Sequence, residues 1–314
     1  SEIVYVGADK KIYYININWN TNQKTETVLG SDPVWRNVII SKDGLKVAAL
    51  EDDLDNLLYV FDFSGSSVVS NTYELYNPTF TSGVTTGDVL YADAMEFDVT
   101  GEYIMYDAEN ELRSASGGTI SYWDIGFIKV WNNANNSFAL GSIDKLFSAL
   151  PNDVSAGNPT FSKNSPYIIA FDYIDGTDNY LLGANLETGT VETIFENNVL
   201  AYPTYSTKDN QMMFDNFDVN EYRIARIDLQ DSKIESKANT GVVWLEGFRW
   251  ATWFSNGKRV LSSDEDVDAP NKNVLVFPNP TSQDITVSFE SFSQHAADII
   301  IHDVKGVKIW EQKF

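Results

Sequence analysis

The chain has 314 residues, enough for a sizeable core and for two domains, and its 45 acidic against 22 basic residues give a formal net charge of −23, which argues against nucleic acid or an anionic membrane surface as a partner. It has no cysteine, so disulfides, thiolate metal sites and cysteine nucleophiles are excluded. Hydrophobic residues make up 43% and aromatic residues 13%, too much for a disordered acidic chain, and no apolar run is long enough to span a membrane.

Taken in order, the chain reads as short Val/Ile/Tyr/Phe runs between Gly, Asn, Asp and Ser clusters, the pattern of strands separated by tight turns. After a first strand from Ile3, the clearest module begins at Pro33-Val34-Trp35-Arg36-Asn37-Val38-Ile39-Ile40. It continues through the turn Ser41-Lys42-Asp43-Gly44, the strand Lys46–Leu50, the acidic turn Glu51–Asn56 and the strand Leu57–Asp62. Further copies run from Phe97 to Tyr106, from Pro159 to Phe171, from Pro203 to Phe214 and from Trp253 to Ser262. Two insertions interrupt them. Asn110–Tyr122 lengthens a turn between second and third strands, and Ile143, Leu146, Phe147 and Leu150 fall at the spacing of a short amphipathic helix. The anchors Ser41, Asp98, Ser162, Ser206 and Ser255 stand 57, 64, 44 and 49 residues apart, the period of a four-stranded propeller blade with insertions. The fold class read from this is all-β, a propeller. Second strands from Ile3, Val47, Tyr103, Tyr167, Gln211 and Arg259 favour six blades, and a five-bladed ring closed by the strand Arg249–Phe254 is the alternative.

These modules resemble the blades of TolB-like propellers over residues 1–265, although the proline of the Ser-Pro-Asp-Gly turn is absent from every copy. An acidic linker follows over 266–273, and residues 274–314 then read as alternating strands with a turn at Lys305-Gly306. This tail is similar to the C-terminal sorting domain of type IX secretion substrates. The likeness is carried by Phe277, Pro278, Asn279 and Pro280, by the strand Ile285-Thr286-Val287, and by the turn from Asp303 to Gly306. It implies a small Ig-like β-sandwich, here incomplete, that engages the type IX translocon and its shuttle. It further implies a secreted or cell-surface protein on the outer-membrane exterior of a Gram-negative, Bacteroidota-type bacterium. The N-terminus, Ser1-Glu2-Ile3-Val4, lacks a signal-like stretch, so an exported protein would have been processed or be a fragment.

His295 and His302, the two histidines, lie in the tail, so residues 1–292 lack a Ser-His-Asp triad and histidine metal ligands. In a propeller the turns between second and third strands open on the ligand face, and here they are acidic: Asp52, Asp53 and Asp55; Asp107 and Glu109; Asp172, Asp175 and Asp178; Asp215 and Asp218. Such carboxylates solubilise a secreted protein, attract a cationic partner or bind calcium. Asp264, Asp266 and Asp268 have the opening spacing of a calcium loop, but Ala269-Pro270 stands where its glycine belongs. No other cofactor is expected. Trp35, Trp123, Trp244, Trp250 and Trp253 offer stacking surfaces for sugars or peptides, or pack the blades. The reading is a binding scaffold for an unknown extracellular protein or glycan, with no catalytic residue assigned. The alternative is the propeller domain of an exported hydrolase, either a carboxylate-pair glycosidase or an accessory domain of a larger peptidase; no Gly-x-Ser-x-Gly elbow occurs.

Overall fold

A computed structural model describes residues 2–78, 84–147, 150–151, 153–218 and 220–253, with the backbone of the strands Val274–Phe277, Thr286–Phe289, Asp298–His302 and Lys308–Lys313. The chain divides into two units, Ser1–Ser263 and Asp264–Phe314.

The first unit is a propeller of five antiparallel blades, one of three strands and four of four. The first blade is Glu2–Val6, Ile12–Asn18 and Gln23–Gly30; the second is Trp35–Ile40, Lys46–Glu51, Leu57–Asp62 and Val69–Glu74. The third comprises Val84–Phe97, Tyr103–Ser114, Thr119–Lys129 and Ile143–Lys145. The fourth is Val154–Phe161, Ile168–Asp175, Asp178–Asn185 and Thr190–Asn197, and the fifth Thr204–Tyr205, Gln211–Asp218, Glu221–Asp228 and Val242–Glu246. Five blades replace the six favoured from sequence, because the sixth count rested on a second strand from Arg259, outside the described residues.

Burial follows strand position. Second strands lie between neighbouring blades and are covered on both faces, so Val47–Leu50, Ile104–Tyr106, Ile168–Phe171 and Met212–Phe214 are all buried. That is why they read as unbroken apolar runs rather than as alternation. Outer strands face water: Gln23–Val28 and all of Val242–Glu246 are exposed. The repeated anchors open the turn between inner and second strands. Ser41, Asp98, Ser162 and Ser206 each donate their backbone N–H across it, to the carbonyls of Lys46, Tyr103, Ile168 and Gln211 at 2.8–2.9 Å. At this end the blades are also tied together. Asp209, buried, accepts from the Ser162 hydroxyl at 2.7 Å and from the backbone N–H groups of Lys163 and Asn164 at 2.6 and 2.8 Å.

The two insertions differ from expectation. Ile143–Lys145 is not helical; it is the outer strand of the third blade, paired with Gly126–Ile128, and no helix occurs among the described residues. The apolar spacing arises because Ile143 is buried in the third blade's core while Leu146 and Phe147 pack against a separate cluster shared with the fourth blade, where Phe147 meets Phe171 edge-on at 5.9 Å. Asn110–Tyr122 is not a long loop either. The second and third strands of that blade run on to Ser114 and from Thr119, so the insertion lengthens a hairpin whose turn lies between them.

In the second unit the described strands form two hairpins, Val274–Phe277 with Thr286–Phe289 and Asp298–His302 with Lys308–Lys313. These two pairs alone do not show the sandwich expected from sequence. Asp264, Asp266, Asp268, Pro278, Asn279, Pro280, Asp303 and Gly306 lie outside the described residues.

Candidate functional site

At the other end of the blades, where second strands turn into third strands, one local arrangement recurs. The inner strands of the second, third and fourth blades carry a bulge, between Trp35 and Asn37, Ala92 and Met95, and Gly157 and Thr160. In the later blades the residue there has left-handed backbone: φ is 48° at Asn158, 45° at Tyr202 and 56° at Trp250. Turning the chain this way aims its N–H at the second strand of the preceding blade, where a buried aspartate accepts it. Asn158 donates to Asp107 at 2.6 Å, Tyr202 to Asp172 at 3.1 Å and Trp250 to Asp215 at 2.8 Å.

Asp107, Asp172 and Asp215, read from sequence as acidic turn residues, are therefore strand residues that latch one blade to the next, and all are buried. Asp107 also holds the N–H of Ala94 at 2.6 Å; Asp172 also holds Ala201 N at 2.7 Å and the Asn158 side-chain amide at 2.8 Å. Burial in a low-dielectric wall pushes the Asp107 carboxyl up to about 7 and the Asp172 carboxyl up to about 6, against the pull of these N–H donors. Asp215 is pushed up for the same reason, opposed by Trp250 N and by the Arg249 guanidinium, whose Nε lies 3.0 Å away. The second blade uses another device. Arg36 pairs with Asp93 of the third blade and donates to the Ala92 carbonyl at 2.5 Å, while Asn37 donates to the Asp93 carbonyl at 2.5 Å.

The remaining acidic positions are placed differently. Asp52 and Asp53 are exposed and Asp52 pairs with Lys10; Asp55 caps its own turn through Leu57 N at 3.0 Å. Glu109 is half-buried on the third blade's second strand. Asp175 and Asp178 flank an exposed hairpin turn, and Asp218, exposed, pairs with Arg223. Phe277 ends a strand of the second unit. Among the described residues no three His, Asp or Glu side chains gather in a way that would hold a metal ion.

The latches bring aromatic side chains together at their outer ends. Arg249 lies over the rings of Tyr222, Trp250 and Tyr202 at 4.0, 4.5 and 5.7 Å, and Tyr202 meets Trp250 edge-on at 6.2 Å. Arg36 lies 5.9 Å over Tyr91, which meets Trp123 edge-on at 5.4 Å. Trp250 is 63% exposed. A bulky residue in left-handed backbone carries a cost that persists only where surrounding bonds hold it, and such residues concentrate at functional sites. Of the tryptophans singled out from sequence, Trp35 packs its blade against Tyr59 and Phe61, and Trp244 lies exposed on an outer strand under Arg226. Trp123 and Trp250 belong to this mouth.

Sequence reading passed over Asn158 and Tyr202. Their signal is visible once the register is known: Asn158-Pro159-Thr160-Phe161, Tyr202-Pro203-Thr204-Tyr205 and Trp250-Ala251-Thr252-Trp253 are one repeated box, and the mouth residue is its first.

Neither a protein-family model nor a curated protein matches the chain. Among solved structures it is similar to a putative TolB from Agrobacterium tumefaciens, at 13% identity over 79% of this chain and 95% of that one, with a TM-score of 0.35. It is similar to TolB from Acinetobacter baumannii at 13% identity over 80% and 66% of the two chains, TM-score 0.34, and to a nidogen/laminin complex at 8% identity over 71% and 73%, TM-score 0.44. The class that the sheets define is a five-bladed β-propeller, and that assignment rests on the strand order itself.

Proposed function

We propose that this protein is a binding propeller whose aromatic, acidic mouth holds a cationic segment of an extracellular protein. The observation that carries this reading is the pair Tyr202 and Trp250, bulky aromatics kept in left-handed backbone at 45° and 56° where nothing in a strand requires an aromatic ring. Tyr91 already carries Arg36, and Tyr202 and Trp250 carry Arg249, so these rings suit a cationic side chain; Trp123 meets Tyr91, Glu109 lies beside Tyr91, and the charge of −23 steers cations toward the molecule. A glycan stacked on the same rings is the competing occupant. Tryptophan fluorescence titrated with Lys/Arg-rich and with neutral peptides, at low and high salt, tests it. Saturable binding of the basic peptides, weakened by salt and at least tenfold weaker in Tyr202→Asn and Trp250→Asn, supports the mouth. Equal response to neutral peptides, or no loss in the variants, overturns it.

Export through the type IX route is the second part of the proposal. It is supported by the order of motifs from Phe277-Pro278-Asn279-Pro280 to Gly306 and by strands at Thr286–Phe289 and Asp298–His302. Intact mass of the protein from native culture checks it. A surface or medium form lacking residues 274–314 supports export, and a cytoplasmic form with the tail intact sinks it.

A further inference from the structure

The last strand of the fifth blade, Val242–Glu246, is unlike other outer strands. Gln23–Gly30 carries Lys24 and Glu26, and Thr190–Asn197 carries Glu192 and Glu196, charges of the kind that keep a sheet edge from pairing with another chain. Val242, Val243, Trp244 and Leu245 are instead four consecutive apolar residues, each 44–51% exposed, on a strand that ends its sheet.

Each of these three strands bulges once against the third strand of its blade, at Leu29, Ile194 and Trp244. Leu29 packs against the cluster that holds the second blade's Trp35, and Ile194 is buried in the cluster shared with the fifth blade. In both blades the bulged residue is thus covered by the blade that follows, whereas the Trp244 ring stays half exposed and meets the Arg226 guanidinium at 4.6 Å. Gly183, opposite Ala170, and Arg226, opposite Met213, hold the same place in their blades, since Ala170 and Met213 each stand two residues before a latch aspartate. A Cβ at Gly183 would stand 2.6 Å from the Ile234 Cα, so on the fourth blade the backbone of the fifth lies over that place. On the fifth blade the same place carries an arginine.

Arg226 differs from the other described arginines. Arg36, Arg113, Arg223 and Arg249 each pair with a carboxylate; no carboxylate pairs with Arg226 among the described residues, and its Nε is buried without a hydrogen-bond partner. Buried polar groups are nearly always paired, and a desolvated charge is costly until it is compensated, so this guanidinium calls for an acceptor from outside. A neutral acceptor would satisfy Nε and leave the charge; a carboxylate satisfies both. A run of carboxylates would be repelled by a chain of charge −23, so the flank fits a single one set among apolar residues that match Val242, Trp244 and Leu245. An extended segment also brings backbone partners for the open edge of the strand.

We infer that the flank of the fifth blade docks an extended apolar segment of another protein along Val242–Glu246, with one Asp or Glu of that segment on Arg226. This surface is distinct from the mouth and does not rest on the reading given for it.

Fluorescence anisotropy of a labelled, end-blocked peptide of alternating valine and threonine with one central glutamate, titrated with the whole chain, tests the inference beside the same peptide with glutamine in that place. The parent should bind the glutamate peptide below about 1 mM and at least about tenfold more tightly than its glutamine twin, the change that one charge-assisted hydrogen bond produces. In Arg226→Gln the two peptides should bind equally, and Trp244→Thr should weaken both. Absence of binding at about 1 mM overturns the inference, as does a preference for glutamate that survives in Arg226→Gln. Light scattering that shows a dimer of the parent, lost in Trp244→Thr, would mean that a second copy covers the flank, and overturns it. A melting temperature lowered by more than about 4 °C in Arg226→Gln would mean that this chain already satisfies the guanidinium, and overturns it too.

Discussion

Asp172→Ala is the substitution from which the latch arrangement is most open to refutation. Three donors lose their acceptor: the buried N–H of Ala201, the N–H of Tyr202 and the side-chain amide of Asn158. Tyr202 and Asn158 reach water once the carboxylate is gone, so the unrelieved penalty is chiefly that of Ala201, about 1–3 kcal/mol. A second contribution depends on pH. The folded carboxyl titrates at about 6 against an ordinary value of 3.8, so between those values the folded state holds a proton that the unfolded chain has released. The stabilisation is therefore complete below about pH 4 and is lost as pH rises through 6. The full shift corresponds to about 3 kcal/mol, of which roughly 1.4 kcal/mol survives at about pH 5 and almost none at pH 7.5. Since alanine cannot titrate, the variant should cost more at about pH 5 than at about pH 7.5, by roughly 1.4 kcal/mol. Urea unfolding at both values, clear of the sequence pI near 4.3, measures this. An equal cost at the two pH values, or a larger one at pH 7.5, would refute the reasoning: it would mean that the three donors, rather than burial, govern the carboxyl.

Asp107 extends the same linkage to higher pH. Its carboxyl titrates at about 7, so part of the parent's loss of stability between about pH 6 and pH 7.5 should vanish in Asp107→Ala, as followed by thermal melts across that range. Gly183→Ala should destabilise by more than about 2 kcal/mol, because its Cβ would stand 2.6 Å from the Ile234 Cα and 2.7 Å from its carbonyl oxygen, backbone atoms that cannot rotate away. Gly189→Ala, with φ at 72° and open space around it, should cost only about 1 kcal/mol in the same denaturant series. Trp250→Asn should leave stability unchanged within about 1 kcal/mol, since asparagine tolerates left-handed backbone and the ring is 63% exposed, while basic-peptide binding falls. A large loss of stability there would assign the ring to packing.

Much of the fold is legible because blade strands differ in environment. Second strands such as Lys46–Glu51 and Ile168–Asp175 are covered on both faces and read as apolar runs, and the turn anchors Ser41, Asp98, Ser162 and Ser206 recur at blade spacing. The segment around Ile143 misleads because its apolar residues serve two blades, and a helix-like spacing follows from that division rather than from a helix. The site is legible only in part. Asp107, Asp172 and Asp215 stand out as acidic residues that follow the apolar runs of second strands, but nothing local separates them from the exposed Asp175 and Asp218.

The sequence by itself determined an all-β chain of repeated modules, the exclusion of cysteine chemistry, and the absence of histidine from residues 1–292, because those follow from residue type and short-range order. The tertiary structure decided which carboxylates are buried latches and which are solvated, which aromatic rings meet at the mouth, and that Arg226 lies against Trp244 rather than against a carboxylate. The reason is distance along the chain. Asp107 is completed by Asn158, and Asp172 by Ala201 and Tyr202, in the following blade. A carboxylate's burial and its partners are properties of that neighbour, which no window of sequence around the aspartate contains.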